Sequence, residues 1–198
     1  SYTLRDRGRP MRDARVGMLP PKLAQIIVNL ASSQHASRSE VLLDPFCGTG
    51  VTLQEALLMG YSAYGTDLEP RMVTYSRENI DWLTGKYELS IDQSCTIEEG
   101  DATLYTWSQP IHVVAGETYL GLPFTKMPDH RTLEQNVSDV NTILRKFLVN
   151  IRSQLTAGTR LCLAVPAWQT RPHAFRHLPL VDSLEEIGYN RVEFERVS

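Results

Sequence analysis

Short, continuously apolar runs alternate along this chain with longer stretches whose apolar residues recur every three or four positions. "VLLDPF" at 41–46 is of the first kind, the pattern of a strand buried on both faces. "TLQEALLMG" at 52–60 follows as a helix closed by Gly60. "YSAYGTDL" at 61–68 reads as a second strand. "EPRMVTYSRENIDWLTG" at 69–85 reads as a helix, with Pro70 near its start and Gly85 past its end. "CTIEEGDA" at 95–102 and "IHVVAGETYL" at 111–120 give a third and a fourth strand. A long helix inside 132–158 leads to the strand "TRLCLAVPAW" at 159–168, and the helix "LPLVDSLEEIG" and the strand "NRVEFERV" finish the chain. Upstream, "PPKLAQIIVNLASS" at 20–33 opens with prolines suited to a first helical turn and repeats Leu23, Ile26, Ile27 and Leu30 at helical spacing.

Strands alternating with helices predict an α/β fold, a mostly parallel sheet with helices on both faces. In such sheets ligands lie beyond the carboxyl ends of the strands, where strand order reverses. The 198 residues suffice for one domain with a large core, and neither repeats nor low-complexity linkers divide them. A hydrophobic fraction of 42% and a net charge of −3 describe an ordinary globular composition. No apolar run approaches the roughly 18 residues of a membrane span, and the amino terminus lacks the apolar core of a secretory signal. Cys47, Cys95 and Cys162 are odd in number, widely spaced and outside any zinc pattern, which predicts a reduced, cytoplasmic protein that holds no metal and no membrane. Starting without Met and stopping inside an apparent strand, the sequence is expected to be an excerpt of a longer chain.

Charge changes this picture at one end. "LRDRGRPMRDAR" carries Arg5, Arg7, Arg9, Arg12 and Arg15 against Asp6 and Asp13. Residues 1–19 are therefore expected to form a basic arm ahead of a domain at 20–198. Two readings stay open: arginines that meet a polyanion, or arginines that pair with the protein's own acids.

The candidate chemistry begins at the first turn. Gly48 and Gly50 permit a tight bend with close ligand approach, and the following helix aims its amides there. The dinucleotide fingerprint would need glycine where Leu53 stands, and a phosphate loop would need Gly-Lys-Ser/Thr. Instead Asp44 ends the strand, where a carboxylate repels phosphate and suits a cationic ligand. S-adenosyl-L-methionine, with a sulfonium, an ammonium and no phosphate, meets these conditions. Asp67 ends the second strand about twenty residues on, the spacing of an acid that holds ribose hydroxyls; Glu69 is its alternate, and helix capping its simpler role. Asp101 follows the third strand, where it could accept an adenine amino group or merely shape a turn.

"DPFCGTGVTLQEALLMGYSAYGTDLEPRMV", the "RENI" after it, "GDAT" and the upstream "GMLPPKLAQIIVNLA" resemble the RNA methylase family that includes the tRNA guanine-N2 methyltransferases. The likeness covers most of residues 5–105 and thins beyond 120. It implies a Rossmann-like class I methyltransferase fold and S-adenosylmethionine as cofactor. By this resemblance Asp44, Phe46, Gly48 and Gly50 line the methionine part, Asp67 takes the ribose, Asp101 and Ala102 the adenine, and Met18 and Leu19 form the upstream wall, with Leu68 also among the cofactor-binding residues. The implied partner is nucleic acid, RNA (tRNA) before DNA, with guanine N2 the leading target.

Amino-methylating members of this group end the fourth strand with Asp or Asn, two prolines and an aromatic. The acceptor nitrogen's lone pair is delocalised into its ring, so a fixed oxygen that takes its hydrogens makes it a better nucleophile, while the aromatic stacks the flipped base. Here the string is Glu117-Thr118-Tyr119-Leu120-Gly121. Glu117 stands in for the acid, and Tyr119 or Phe124 for the stacking face, with Pro123 stiffening the loop. The departure leaves two further readings open, a DNA amino-methyltransferase and a non-catalytic cofactor-binding module. "HAFRH" sets His173 and His177 four apart with no third metal ligand near in sequence, which favours a basic loop beside Arg171 and Arg176. Cys47 inside the turn reads as a small filler, and Trp107 and Trp168 as packing residues.

Overall fold

Five strands, β1 (Val41–Asp44), β2 (Ser62–Asp67), β3 (Cys95–Glu99), β4 (Val113–Glu117) and β5 (Arg160–Ala164), pair in parallel in the order β3-β2-β1-β4-β5. The computed structural model describes residues 1–13, 19–32, 40–90, 92–124, 126 and 128–193. The helices are α1 (Tyr2–Arg7), α2 (Pro21–Ala31), α3 (Val51–Leu58), α4 (Pro70–Thr84) and α5 (His130–Arg152). All four residues of β1 are buried, and alternate ones enter different cores, as the pleat dictates. Val41 and Leu43 join Tyr64, Val114 and the apolar stripe of α5, Leu133, Val137, Val140, Leu144, Phe147 and Ile151. Leu42 faces the other way with Val113 and Ala115 against α2 and α3. A third cluster joins Leu53 and Leu57 of α3 to Ala63 and to Val73, Ile80 and Leu83 of α4. The sheet is thus covered on both faces, which is the Rossmann-like class I methyltransferase architecture.

Several elements differ from expectation. On α2 the buried residues are Pro21, Ala24, Ile27, Val28 and Ala31, while Leu23, Ile26 and Leu30 are more than two-fifths exposed. Small residues face the body because α2 packs against both α3 and the strands, and the larger ones turn outward. The predicted helix at 178–188 is two 3₁₀ turns, Pro179–Asp182 and Leu184–Ile187, whose Leu180 and Ile187 still reach the core. Residues 190–193 have no regular structure, and the rest of the last predicted strand lies outside the described residues. The stretch after β5 forms an unanticipated antiparallel hairpin, β6 (Trp168–Arg171) and β7 (Ala174–Arg176). His173 occupies its turn with φ 64°, so His173 and His177 do not share a helix. Among the described residues no group of three His, Cys, Asp or Glu is arranged to hold a metal, and no helix is long and apolar enough to cross a membrane.

Residues 1–13 pack on the body. Arg5 donates to both carboxylate oxygens of Glu55 on α3, with Nη2 at 3.0 Å, and Glu55 is 1% exposed. Met11 is tied through its N–H and carbonyl to the side chain of Asn79 on α4, at 2.9 and 3.0 Å. Asp13 pairs with Arg71 at 2.9 Å. Arg9 is buried with no hydrogen-bond partner among the described residues, and burial lowers its pKa. Arg7 and Arg12 face solvent, and Arg15 lies outside the described residues.

Two outcomes test these packing assignments. A Cβ at Gly65 would meet Leu53 Cδ1 at 2.5 Å and Cys47 Cβ at 3.1 Å, so Gly65→Ala should lose about 1–3 kcal/mol in urea unfolding. Arg5→Met should lose about 3 kcal/mol by leaving the buried Glu55 carboxylate alone. Burial already raises the Glu55 pKa, so removing the arginine raises it further and the loss should shrink as pH falls and the carboxyl takes up a proton. A deficit that does not change with pH would refute this assignment.

Candidate active site

Strand order reverses between β1 and β4, and the residues that end these two strands are Asp44 and Glu117. Two acids therefore flank the crevice that an open α/β sheet offers to a ligand. Asp44 is 2% exposed and lies over Gly116 of the neighbouring strand, where a Cβ would come within 2.7 Å of its Cγ. Its Oδ1 accepts from the N–H of Phe46 at 3.2 Å. Burial pushes the Asp44 pKa up to about 7; the Thr52 hydroxyl and the Phe46 amide pull it down, and the charges of Asp67 and Glu117 add to the rise. Burial also raises the pKa of Asp67 and of Glu117. The protein has gathered three carboxyls in a place where none is comfortable as an anion without a cation beside it.

The turn between β1 and α3 is held by backbone and side-chain hydrogen bonds on every side. Gly48 donates its N–H to Asp67 Oδ2 at 2.8 Å, and its carbonyl accepts from Ser76 Oγ at 2.8 Å. The carbonyl of Thr49 accepts from Asn79 at 2.8 Å. Gly48 has φ 52° and, among the described residues, nothing within 4 Å of where a Cβ would stand, which leaves its bare face open to a ligand on that side. Gly50, at φ 80°, is closed off instead: a Cβ there would sit 2.8 Å from Ser76 Oγ. Its missing side chain serves the packing of α4 against the turn. Cys47 is buried beside Leu53, and burial raises its thiol pKa well above the ordinary range, as befits a filler.

The remaining expected residues spread along the same edge. Asp67 Oδ1 also accepts from Glu69 N–H at 2.9 Å, which leaves each carboxylate oxygen one lone pair for another donor. Glu69 is half exposed and pairs with Arg71. Leu68 is 70% exposed, and Ala102 is buried. Asp101 shapes its loop, Oδ1 accepting from Thr103 N–H at 2.9 Å and from its hydroxyl at 2.7 Å. Gly100 N–H donates to the Asp67 carbonyl at 2.9 Å, so the exits of β2 and β3 adjoin. Phe46 packs edge-on against Phe147 at 5.1 Å. Leu19 is buried in one cluster with Val51 at the start of α3, and Met18 lies outside the described residues.

After β4 the altered string is firmly held. Thr118, where a proline would stand, donates both its N–H, at 3.0 Å, and its hydroxyl, at 3.2 Å, to the Ala164 carbonyl at the end of β5. Gly121 turns at φ 86° against the Asn136 side chain, and Leu122 N–H donates to Asn136 Oδ1 at 2.9 Å. Tyr119 is 40% exposed and Phe124 half-buried. Thr52, Ser76, Asn79 and Gly116 support this site and were not singled out in sequence. Asn79 stands within the quoted "RENI", and the other three lack a distinguishing spacing.

The donor set fits a ligand bearing cations and no phosphate: carboxylates flank the crevice, and no Lys or Arg stands in the 44–50 turn. The family model that matches, described as DNA methylase, covers residues 16–78. The tRNA (guanine(10)-N2)-dimethyltransferase of Methanothermobacter thermautotrophicus is 30% identical over 150 residues, 76% of this chain and 39% of that protein. The enzyme of the same description from Pyrococcus abyssi is 39% identical over 82 residues, 41% of this chain and 23% of its own length. The chain thus spans well under half of these curated relatives. Among solved structures, TrmN from Thermus thermophilus superposes with a TM-score of 0.54 at 24% identity, over 81% of this chain and 41% of that one. YjhP from E. coli gives 0.60 at 16% identity, over 97% and 72%. A sheet with this strand order, a glycine turn ringed by acids and these sequence relationships agree: the chain is similar to the S-adenosylmethionine-dependent RNA methylases that include the tRNA guanine-N2 methyltransferases.

Proposed function

We propose that this chain binds S-adenosylmethionine over the open face of Gly48 and directs its methyl group to a nucleic-acid base, RNA before DNA, with N2 of a tRNA guanine as the leading target. One observation carries the reading: Asp44 and Glu117 end the two strands at which the sheet order reverses, on either side of the crevice. When bound, the cofactor supplies a methyl carbon made electrophilic by its sulfonium. Asp44 would face the cationic methionine end, Asp67 the ribose hydroxyls, and Asp101 and Ala102 the adenine. Glu117 would accept a hydrogen of the acceptor amino group, localise the nitrogen lone pair, and take the proton released once nitrogen is methylated. Burial makes this carboxylate more basic than an ordinary glutamate, which suits it to that task. Its greater length relative to Asp is offset by the Thr118 and Leu122 hydrogen bonds, which fix the loop as prolines would. Among the described residues of the arm, Arg7 and Arg12 are the exposed arginines that would meet phosphate.

Transfer of a labelled methyl group to bulk tRNA, with DNA as the parallel acceptor, tests the reading. Incorporation into tRNA is expected, and Glu117→Gln should lower its rate by about 10²-fold while leaving calorimetric binding of S-adenosylhomocysteine intact. Binding without transfer to either polymer would make the chain a cofactor-binding module, and transfer to DNA alone would reverse the substrate preference.

Cofactor affinity should also depend on pH. Below about pH 7 the Asp44 carboxyl is protonated, and a cationic ligand must displace that proton. Affinity for S-adenosylmethionine should therefore rise about tenfold per pH unit as pH approaches 7 and level off above it. Asp67 and Glu117, raised in the same direction, add to the slope at its acid end. Asp44→Asn should flatten the dependence near neutrality. The ligand-free chain should show the opposite trend, losing stability as pH rises from about 4 through about 7, because the folded state holds the proton more tightly than the unfolded one.

A further inference from the structure

The β6–β7 hairpin rises from the carboxyl end of β5, on the edge of the sheet where the crevice opens. β6 starts four residues beyond Ala164, the register partner of Glu117 at the end of β4. The Thr118 hydrogen bonds to the Ala164 carbonyl join the two strand ends. We propose that the outer face and tip of this ribbon bind single-stranded RNA beside the acceptor nucleotide. Phe175 stacks on a base, and Arg171 meets the phosphate chain. That this RNA is the strand being methylated rests on the methyl-transfer reading above.

The two faces of the ribbon differ, as the pleat requires. Trp168 and Arg176 are register partners, and both are half-buried. The indole packs against the core cluster that includes Leu133 of α5, and the guanidinium forms a two-pronged ion pair with Glu134 at 3.1 and 3.2 Å. The next pair, Gln169 and Phe175, faces the other way and is exposed, Phe175 by 53%. His177, two positions from Phe175, is exposed as well, with the ring centres 6.4 Å apart. A bulge between Gln169 and Arg171 sets Arg171 opposite Ala174 at the tip, where the Thr170 hydroxyl donates to the Ala174 carbonyl at 3.3 Å. An isolated hairpin is marginal in water, and the inner face supplies its anchorage. Packing therefore does not account for the outer aromatic. The basic loop expected from the sequence divides in the same way: Arg176 is taken up by Glu134, while exposed Arg171 forms no ion pair among the described residues.

Charge selects the partner. Between Asp139 and Asp182 the chain has six lysines and arginines and no acid, within a molecule of net charge −3. An ordinary solvated surface intersperses both signs. A ribbon without acids that also exposes a ring matches a polyanion with flat apolar faces. Single-stranded nucleic acid has both, a phosphate at every step and bases free to stack. A duplex hides its base faces. Drawing one nucleotide out for reaction deprives its neighbour of a stacking partner, and Phe175 is placed to replace it.

Fluorescence anisotropy with labelled single-stranded RNA and with duplex RNA of equal length, together with methyl transfer to tRNA by the same samples, tests the assignment. Phe175→Ala should weaken the single strand about tenfold and leave the duplex unchanged. Arg171→Gln should weaken both, and should lower the slope of log affinity against log salt by about 0.7 for the single strand. Both side chains are exposed, so thermal unfolding should match the wild type. In tRNA methylation each substitution should raise KM and leave kcat unchanged. Undiminished single-strand affinity in both variants, equal loss of duplex and single strand in Phe175→Ala, or no RNA binding by the wild type overturns the assignment. If RNA binds through Phe175 but receives no methyl group, the ribbon assignment stands and the methyl-transfer reading falls. Transfer to tRNA with an unaltered KM in both variants does the reverse.

Discussion

The site depends on a carboxylate placed where it has little water. Asp44 closes β1 at the point where the strand order reverses, almost wholly buried, between the amide of Phe46 and the bare backbone of Gly116. A charge so placed is costly unless a counter-charge arrives. The chain offers no lysine or arginine in the turn, and among the described residues the ionisable groups that act on Asp44 are the acids Asp67 and Glu117. That makes the crevice receptive to a cation and hostile to phosphate, and it separates this turn from nucleotide-binding loops that share its outline.

Around that carboxylate the backbone is fastened in advance. Asp67 clasps the amides of Gly48 and Glu69, Ser76 holds the Gly48 carbonyl, and Asn79 joins the turn to residue 11 of the amino-terminal segment. The ends of β2, the start of α4 and the arm therefore meet on a few peptide groups. Rigid presentation of this kind means that little ordering is left for a ligand to impose, which raises affinity without further contacts.

Much of this was legible in sequence. The glycine spacing, the acids that end successive strands and the helical and strand rhythms located the sheet, the turn and the crevice. What escaped was set by packing. The outward face of α2 escaped because apolar residues run almost all round that helix, and only the close fit of Ala24 and Ala31 decides its orientation. Arg5 read equally well as a solvent-facing cation, and its partner Glu55 stands fifty positions away inside an apolar helix. The hairpin after β5 turns on a histidine in a left-handed conformation, and no glycine or Asn-Gly pair announces it. Gly116 was one small residue within an apolar run until the neighbouring strand showed what it accommodates.

Asp44 and Gly116 share one volume, so what one position tolerates depends on the other. A side chain at 116 would occupy the space of the carboxylate, and a lineage that keeps the acid keeps the glycine. Loss of the acid would release the glycine to drift. Across related sequences, the two positions should change together, and a homologue bearing alanine or larger at the second while retaining aspartate at the first must have moved its strands apart.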